Sequence, residues 1–76
     1  MNKELLETIL NATKQDFRIF FQNDKVGLHI SVTKKLVNRG TRGQDVFLNY
    51  EEIENSEFDI VKETIEKAVH NIIKFP

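Results

Sequence analysis

Residues 17–33, FRIFFQNDKVGLHISVT, decide the fold of this chain. Apolar and other residues alternate on both sides of Asn23-Asp24, which is the period of two expected for half-buried strands. Asn and Asp tolerate positive φ, so Asn23 and Asp24 predict a two-residue turn that pairs Gln22 with Lys25. This register sets apolar residues opposite one another, in the predicted pairs Phe21–Val26, Ile19–Leu28 and Phe17–Ile30.

The segments on either side of this hairpin complete an α+β pattern. Two glycines mark a turn at 38–43, and Ser56 with Asp59 predicts a capping box. The predicted elements are a helix over 3–14, strands over 17–22, 26–33 and 46–50, and a helix over 57–73. This order, α-β-β-β-α, predicts a three-stranded antiparallel sheet covered on one face by two helices, and residues 1–76 form a single small globular domain.

The same periodicities predict the core. A domain of 76 residues has little interior. In domains below roughly 70 to 80 residues, the hydrophobic core rarely contributes more than about 3–5 kcal/mol to the free energy of unfolding. We therefore expect marginal stability or a homodimer. The predicted core consists of Leu5, Leu6, Ile9, Leu10, Phe17, Ile19, Phe21, Leu28, Ile30, Val32, Val46, Leu48, Phe58, Val61, Ile65, Val69 and Ile72.

Composition excludes several classes of protein. The absence of cysteine excludes a disulfide-stapled scaffold, a thiolate nucleophile and a Cys-based zinc site. Neither an apolar leader nor a run of apolar residues long enough to span a bilayer is present, so we expect a cytoplasmic protein that does not bind membranes. The abundance of Lys, Asn, Ile and Phe is typical of AT-rich genomes and indicates a bacterium or its phage.

Catalysis and metal binding are not indicated by the residues. His29 and His70 are the only histidines, and neither lies in a recognisable nucleophile or metal motif. The carboxylates between Glu51 and Asp59 are explained by the positive end of a helix dipole. We therefore expect no enzyme activity, no cofactor and no metal.

One face of the predicted sheet remains uncovered by helices. It carries Arg18 and Phe20 from the first strand, His29 from the second and Phe47 from the third. Two phenylalanines on a wet face are expected to mark a contact surface, so these four residues are the candidate partner-binding site. The function predicted from this is a small non-catalytic interaction module, regulatory or accessory, that binds a protein partner or a second copy of itself.

The charge distribution supports an alternative. Residues 14–42 carry seven bases and two acids, whereas residues 43–76 carry three bases and eight acids. Lys34, Lys35, Arg39 and Arg42 would be the nucleic-acid contacts of a basic hairpin.

The predicted order of elements is similar in topology to the double-stranded RNA-binding domain. That family has a basic start to its second helix, where lysines contact phosphates. The corresponding segment here is the acidic Ser56-Glu57-Phe58-Asp59, so the resemblance is limited to topology. A nucleic-acid-binding module is therefore the second interpretation.

Overall fold

The protein was analysed as a computed structural model, which describes residues 3–36, 40–56 and 59–74. The order is α-β-β-β-α-α, an α+β fold as predicted, with one additional short helix. All strand pairs are antiparallel, and the sheet order β1-β2-β3 places β2 in the centre. The elements are α1 (Lys3–Lys14), β1 (Phe17–Asn23), β2 (Gly27–Leu36), β3 (Gly40–Asn49), α2 (Tyr50–Asn55) and α3 (Asp59–Lys74).

The helix that the sequence analysis missed is α2. Asn49 caps it: the Asn49 side chain accepts the backbone N–H of Glu52 at 2.8 Å, and the Glu52 carboxylate accepts the N–H of Asn49 at 3.1 Å. This capping box ends β3 and turns the chain, where the alternating pattern had predicted strand up to residue 50. Ser56 lies between α2 and α3, where its hydroxyl accepts the N–H of Ile60 at 3.2 Å. Its own N–H donates to the carbonyl oxygen of Glu52 at 3.2 Å and not to Asp59, so the hydrogen bonds differ from those of the predicted capping box.

The predicted register of the β1–β2 hairpin is wrong. Phe21 lies opposite Ile30 instead of Val26, so each β1 residue pairs four positions further along β2 than predicted. The cause is Asp24, whose carboxylate accepts the N–H groups of Val26 at 2.8 Å and Gly27 at 3.0 Å and holds a wider turn. Because the shift is an even number of residues, every side chain stays on its predicted face.

Tyr50 ties this turn to the far end of β3. Its hydroxyl donates to the carbonyl oxygen of Asp24 at 2.7 Å, and its backbone N–H donates to the carbonyl oxygen of Val26 at 3.3 Å. The turn is therefore stabilised by a residue 26 positions away in sequence.

The core lies between the sheet and the helices. Most of the predicted core residues are buried or half-buried, but Leu6, Leu10 and Phe21 are 49%, 52% and 46% exposed. Phe58, also predicted in the core, lies outside the described residues. The buried apolar residues are Leu5, Ala12, Phe17, Ile30, Val32, Leu48, Ile53, Val61, Ile65, Ala68 and Ile72.

The β2–β3 hairpin is longer than β1. Phe17, the first residue of β1, pairs with Lys34, so the residues of β2 beyond Lys34 and their β3 partners have no third strand beside them. We call the segments Lys34–Leu36 and Gly40–Arg42 the ribbon. The molecule measures 40 Å along its longest axis, against 24 and 17 Å along the other two.

Candidate functional site

The two faces of the sheet differ in what covers them. The helices pack on the face that carries Phe17, Ile30, Val32 and Leu48. The opposite face, which we call the open face, has no described helix or strand against it. It displays, from β1, β2 and β3, Arg18, Phe20, Gln22, His29, Ser31, Thr33, Lys35, Asp45 and Phe47. The four predicted partner-binding residues are therefore all on this face.

Phe20 and Phe47 do not form the single patch that the sequence suggested. Phe20 is paired with Ser31 of β2, whereas Phe47 is paired with His29 from the other side. The two phenylalanines belong to opposite edge strands, separated by two strand spacings, roughly 10 Å. Their exposed fractions, 54% for Phe20 and 44% for Phe47, are similar, but their surroundings differ.

Phe47 has a structural role. Its ring contacts the His29 ring, with 4.7 Å between centroids and 54° between planes. The ring also covers Gly27, because a Cβ at Gly27 would lie 2.7 Å from Phe47 Cζ. In the register predicted from the sequence, with Gln22 opposite Lys25, Phe20 would lie across from this glycine. The wider turn moves Phe20 to Ser31 and leaves Phe47 to shield the glycine backbone.

Asp24 and His29 form a polar contact at one end of the open face. The Asp24 carboxylate lies 3.3 Å from His29 Nε2, and both side chains are about half exposed. Hydrogen bonds from the N–H groups of Val26 and Gly27, and then the contact with His29, lower the pKa of Asp24. The charged Asp24 carboxylate therefore acts as a hydrogen-bond acceptor within the turn, where it stabilises the β1–β2 hairpin.

Phe20 separates two shallow hollows on the open face. It makes no ring contact within the described part of the chain. The hollow toward the turn measures about 520 Å³ and the one toward the ribbon about 720 Å³. The first is lined by Phe20, Gln22, Asp24, His29, Ile30, Ser31 and Asp45. The second is lined by Thr13, Asp16, Phe17, Arg18, Phe20, Thr33, Lys35, Leu36 and Thr41. Phe20 is thus the exposed aromatic side chain between them.

Three apolar residues on α1 and β1 that were predicted in the core, Leu6, Leu10 and Phe21, are exposed to solvent. Glu4 of α1 lies 4.0 Å from Lys62 of α3, so the Glu4 flank of α1 faces α3. Leu6 and Leu10 lie on the other flank of α1, by the 3.6-residue period, and α1 itself packs against β1 and α3. We call the exposed residues Leu6, Leu10, Phe20 and Phe21 the β1 side. Leu6 and Leu10 are exposed because α3 packs against the opposite flank of α1. The helical periodicity of the sequence does not show which flank α3 contacts.

The cations of the predicted nucleic-acid site are divided between the two faces. Lys34 and Arg42 are directly opposite each other on the helix side, and Lys35 is on the open face. The Lys34 ammonium lies 4.9 Å from the centre of the Phe17 ring. Arg39 lies outside the described residues.

Within residues 3–36, 40–56 and 59–74, no group of three or more His, Cys, Asp or Glu side chains is placed to hold a metal ion. None of the helices in this part of the chain is long and apolar enough to cross a membrane. Comparison with known proteins finds no matching family model, no similar curated protein and no similar solved structure. Function must therefore be argued from the surface of this chain.

Proposed function

We propose that this chain is a small non-catalytic interaction module, regulatory or accessory, that binds another polypeptide along its β1 side. The single observation that carries the proposal is the exposure of Phe20 beside Phe21 on an edge strand. Isolated exposed apolar side chains are ordinary, but adjacent aromatic residues on opposite faces of one edge strand are not.

The edge of β1 favours an extended polypeptide over a small molecule. Backbone N–H and C=O groups of an edge strand on its unpaired side are available to a further strand, which adds main-chain hydrogen bonds. No described strand pairs with β1 on the side away from β2. Phe20 and Phe21 project to opposite faces and would contact alternate side chains of an added strand.

The proposal is tested by selecting peptides that bind the immobilised protein from a phage-displayed library of random 12-residue sequences. We expect enriched peptides that alternate apolar and polar residues. Their binding should be lost in Phe20→Ser and retained in Phe47→Ser, a matched substitution on the other edge strand. Equal binding of the selected peptides to both variants, or no enrichment together with no self-association, would contradict the proposal.

A second candidate function, binding of nucleic acid, is favoured by one observation on the ribbon. Lys34 and Arg42 are cross-strand neighbours, and like charges placed directly opposite each other destabilise a sheet. Among the described residues, no carboxylate lies within 4 Å of the Lys34, Lys35 or Arg42 side-chain nitrogens. A phosphate backbone would relieve this repulsion.

Fluorescence anisotropy with a labelled mixed-sequence oligonucleotide tests the second candidate. The doubly substituted variant Lys35→Glu/Arg42→Glu should lose any binding, and salt should weaken binding by the wild type. The doubly substituted variant Lys3→Glu/Lys67→Glu, on α1 and α3, is the control with the same change of net charge. If wild type shows no salt-sensitive binding, or if the control loses as much, the ribbon does not bind nucleic acid.

A further inference from the structure

We infer that the strand added to β1 is β1 of a second copy, so that two chains form one continuous six-stranded sheet about a two-fold axis. This inference rests on the proposed function and names its partner. The same edge meeting itself is the isologous arrangement of C2 dimers, which are the commonest soluble oligomers.

The first argument is that β1 lacks the features by which edge strands avoid pairing. Such strands usually carry proline, inward-pointing charges or several lysines. The seven residues of β1, Phe17–Asn23, contain no proline, and Arg18 is their single charged residue. An apolar edge of this kind pairs with another strand unless it is covered, and no described element covers it.

The second argument is that the sequence of β1 is complementary to itself when it is paired about Phe20. Antiparallel pairing centred there matches all seven residues and sets apolar side chains opposite one another near the axis: the cross-strand pairs are Phe20–Phe20, Ile19–Phe21, Arg18–Gln22 and Phe17–Asn23. The open face of the joined sheet then has an aromatic pair at the axis. The helix side has an Ile19–Phe21 contact on each side of the axis, and aromatic and β-branched cross-strand pairs stabilise sheets.

The third argument comes from α1, which packs against β1. Leu6 and Leu10 are one helical turn apart on the flank of α1 that faces away from α3. In an antiparallel β1–β1 dimer, the two α1 helices meet above the joined strands, and these leucines cover Phe21 and each other. The exposed residues Leu6, Leu10 and Phe21 that had been predicted in the core would then be buried between the two copies.

The distribution of charge agrees with an antiparallel arrangement. The basic ribbon and the acidic α2, with Glu51, Glu52 and Glu54, lie at opposite ends of β3. Joining two sheets antiparallel places the ribbon end of each copy on the same side as the acidic end of the other. Such a field orients the encounter, and salt screens it over about 8–10 Å.

Disulfide trapping tests both the partner and the register, because the wild-type chain has no cysteine. In the proposed register Arg18 of each copy faces Gln22 of the other, with a Cα separation of about 4.5–5.5 Å that a disulfide spans. We expect an equal mixture of Arg18→Cys and Gln22→Cys chains to form a covalent dimer under diamide, whereas neither variant alone should do so efficiently. Asp45→Cys, on the opposite edge strand in the same row as Phe20, should form no disulfide cross-link.

Light scattering after size-exclusion chromatography, over a range of protein concentrations, measures the same association without the cross-link. Wild type should show a monomer–dimer equilibrium. Phe20→Ser should weaken dimerisation by at least about 30-fold, since each symmetric interface loses two aromatic side chains. Circular dichroism of each variant checks that the fold is retained, and Leu10→Lys provides a second disrupting variant on α1.

Three results are distinguishable. A wild-type chain that stays monomeric at millimolar concentration and gives no mixed cross-link would overturn the β1–β1 dimer. The proposed function would still stand if selected peptides bound the β1 side of that monomer. A dimer trapped through Asp45→Cys would also overturn the inference, because it would place the interface on β3.

Discussion

The two edge strands of the sheet differ in the features that favour or oppose pairing with a further strand. In β3 the first six residues are Gly40-Thr41-Arg42-Gly43-Gln44-Asp45, which combine low strand propensity with charges on both faces. In β1 the sequence is FRIFFQN, with apolar residues on both faces and one charge. An edge like that of β3 discourages pairing, whereas an edge like that of β1 leaves backbone groups and apolar side chains open to a further strand.

Each edge strand is nevertheless anchored to the core by one large buried residue. Phe17 begins β1 and is 2% exposed, and Leu48 lies near the end of β3 and is 6% exposed. These anchors lie at opposite ends of the sheet, because β1 and β3 both run antiparallel to β2 and therefore point in the same direction. The contrast between the strands therefore concerns their exposed side chains and not their attachment.

The largest predicted effect is a loss of stability on truncating Phe17, the buried residue that anchors β1 to the core. Phe17→Ala should lower the free energy of unfolding by about 3–5 kcal/mol, which is the whole stability expected for a core of this size. It removes a buried ring and the face over which the Lys34 ammonium lies. A urea titration followed by circular dichroism should show a largely unfolded chain. Leu48→Ala on β3 should cost about 2–5 kcal/mol, and a wild-type urea midpoint for either variant would refute the role of that anchor.

The second prediction concerns the close approach of β2 and β3. A Cβ at Gly27 would lie 2.3 Å from the backbone oxygen of Leu48, so Gly27→Ala must push β3 away from β2. We expect a loss of about 2–3 kcal/mol in the free energy of unfolding. Gly43→Ala is the control, because its Cβ would meet the Thr33 methyl group at 3.0 Å, and this side chain can shift. Equal urea midpoints for the two variants would show that the Gly27 contact is not limiting.

The third prediction compares substitutions of the two phenylalanines on the open face, Phe20 and Phe47. Phe47→Ser should lower the free energy of unfolding of the monomer by about 1 kcal/mol, because it removes the ring that contacts His29 and covers Gly27. Phe20→Ser should leave the unfolding of the dilute monomer nearly unchanged and weaken association. Thermal melts at low protein concentration, beside light scattering at high concentration, separate the two effects. The reverse pattern would assign the contact surface to β3.

The smallest predicted effect is a loss of stability of the β1–β2 hairpin at low pH. The pKa of Asp24 is lowered from 3.8 in the folded chain by hydrogen bonds from the Val26 and Gly27 N–H groups. The stabilisation that these bonds give the charged form is therefore present above pH 3.8 and is lost as pH falls through the lower, folded pKa. Asp24→Asn should flatten this acid limb in thermal melts recorded between pH 2.5 and 6. An acid limb as steep as that of the wild type would show that another carboxylate causes it.

The β1–β2 hairpin shows how much of the fold and of the site could be predicted. The alternation in residues 17–33 correctly assigned Phe20 and His29 to one face and Ile19 and Ile30 to the other, because the period of two is a local property of extended backbone. The partners of these residues were predicted wrongly. They depend on Asp24, whose carboxylate shapes a wider turn, and on Tyr50, which bonds to that turn from 26 residues away.

Some features of the candidate site were likewise predictable from the sequence, and others were not. Exposure of Phe20 and Phe47 on the open face was predictable, since it follows from the face of a strand. That the two rings lie on opposite edges was not, because it follows from β2 being the central strand. Leu6 and Leu10 have the spacing of core residues, and only the position of α3 against the Glu4 flank of α1 leaves them uncovered.

The sequence by itself therefore determined the order of the long elements, the faces of the strands and the opposed charges of the two halves. These are properties of short-range periodicity and composition, which a single chain carries without reference to its neighbours. The tertiary structure decided the register, the short helix α2, the central place of β2 and the uncovered edge of β1. These features depend on hydrogen bonds and packing between residues far apart in sequence. Local sequence patterns do not specify which of these distant residues come into contact.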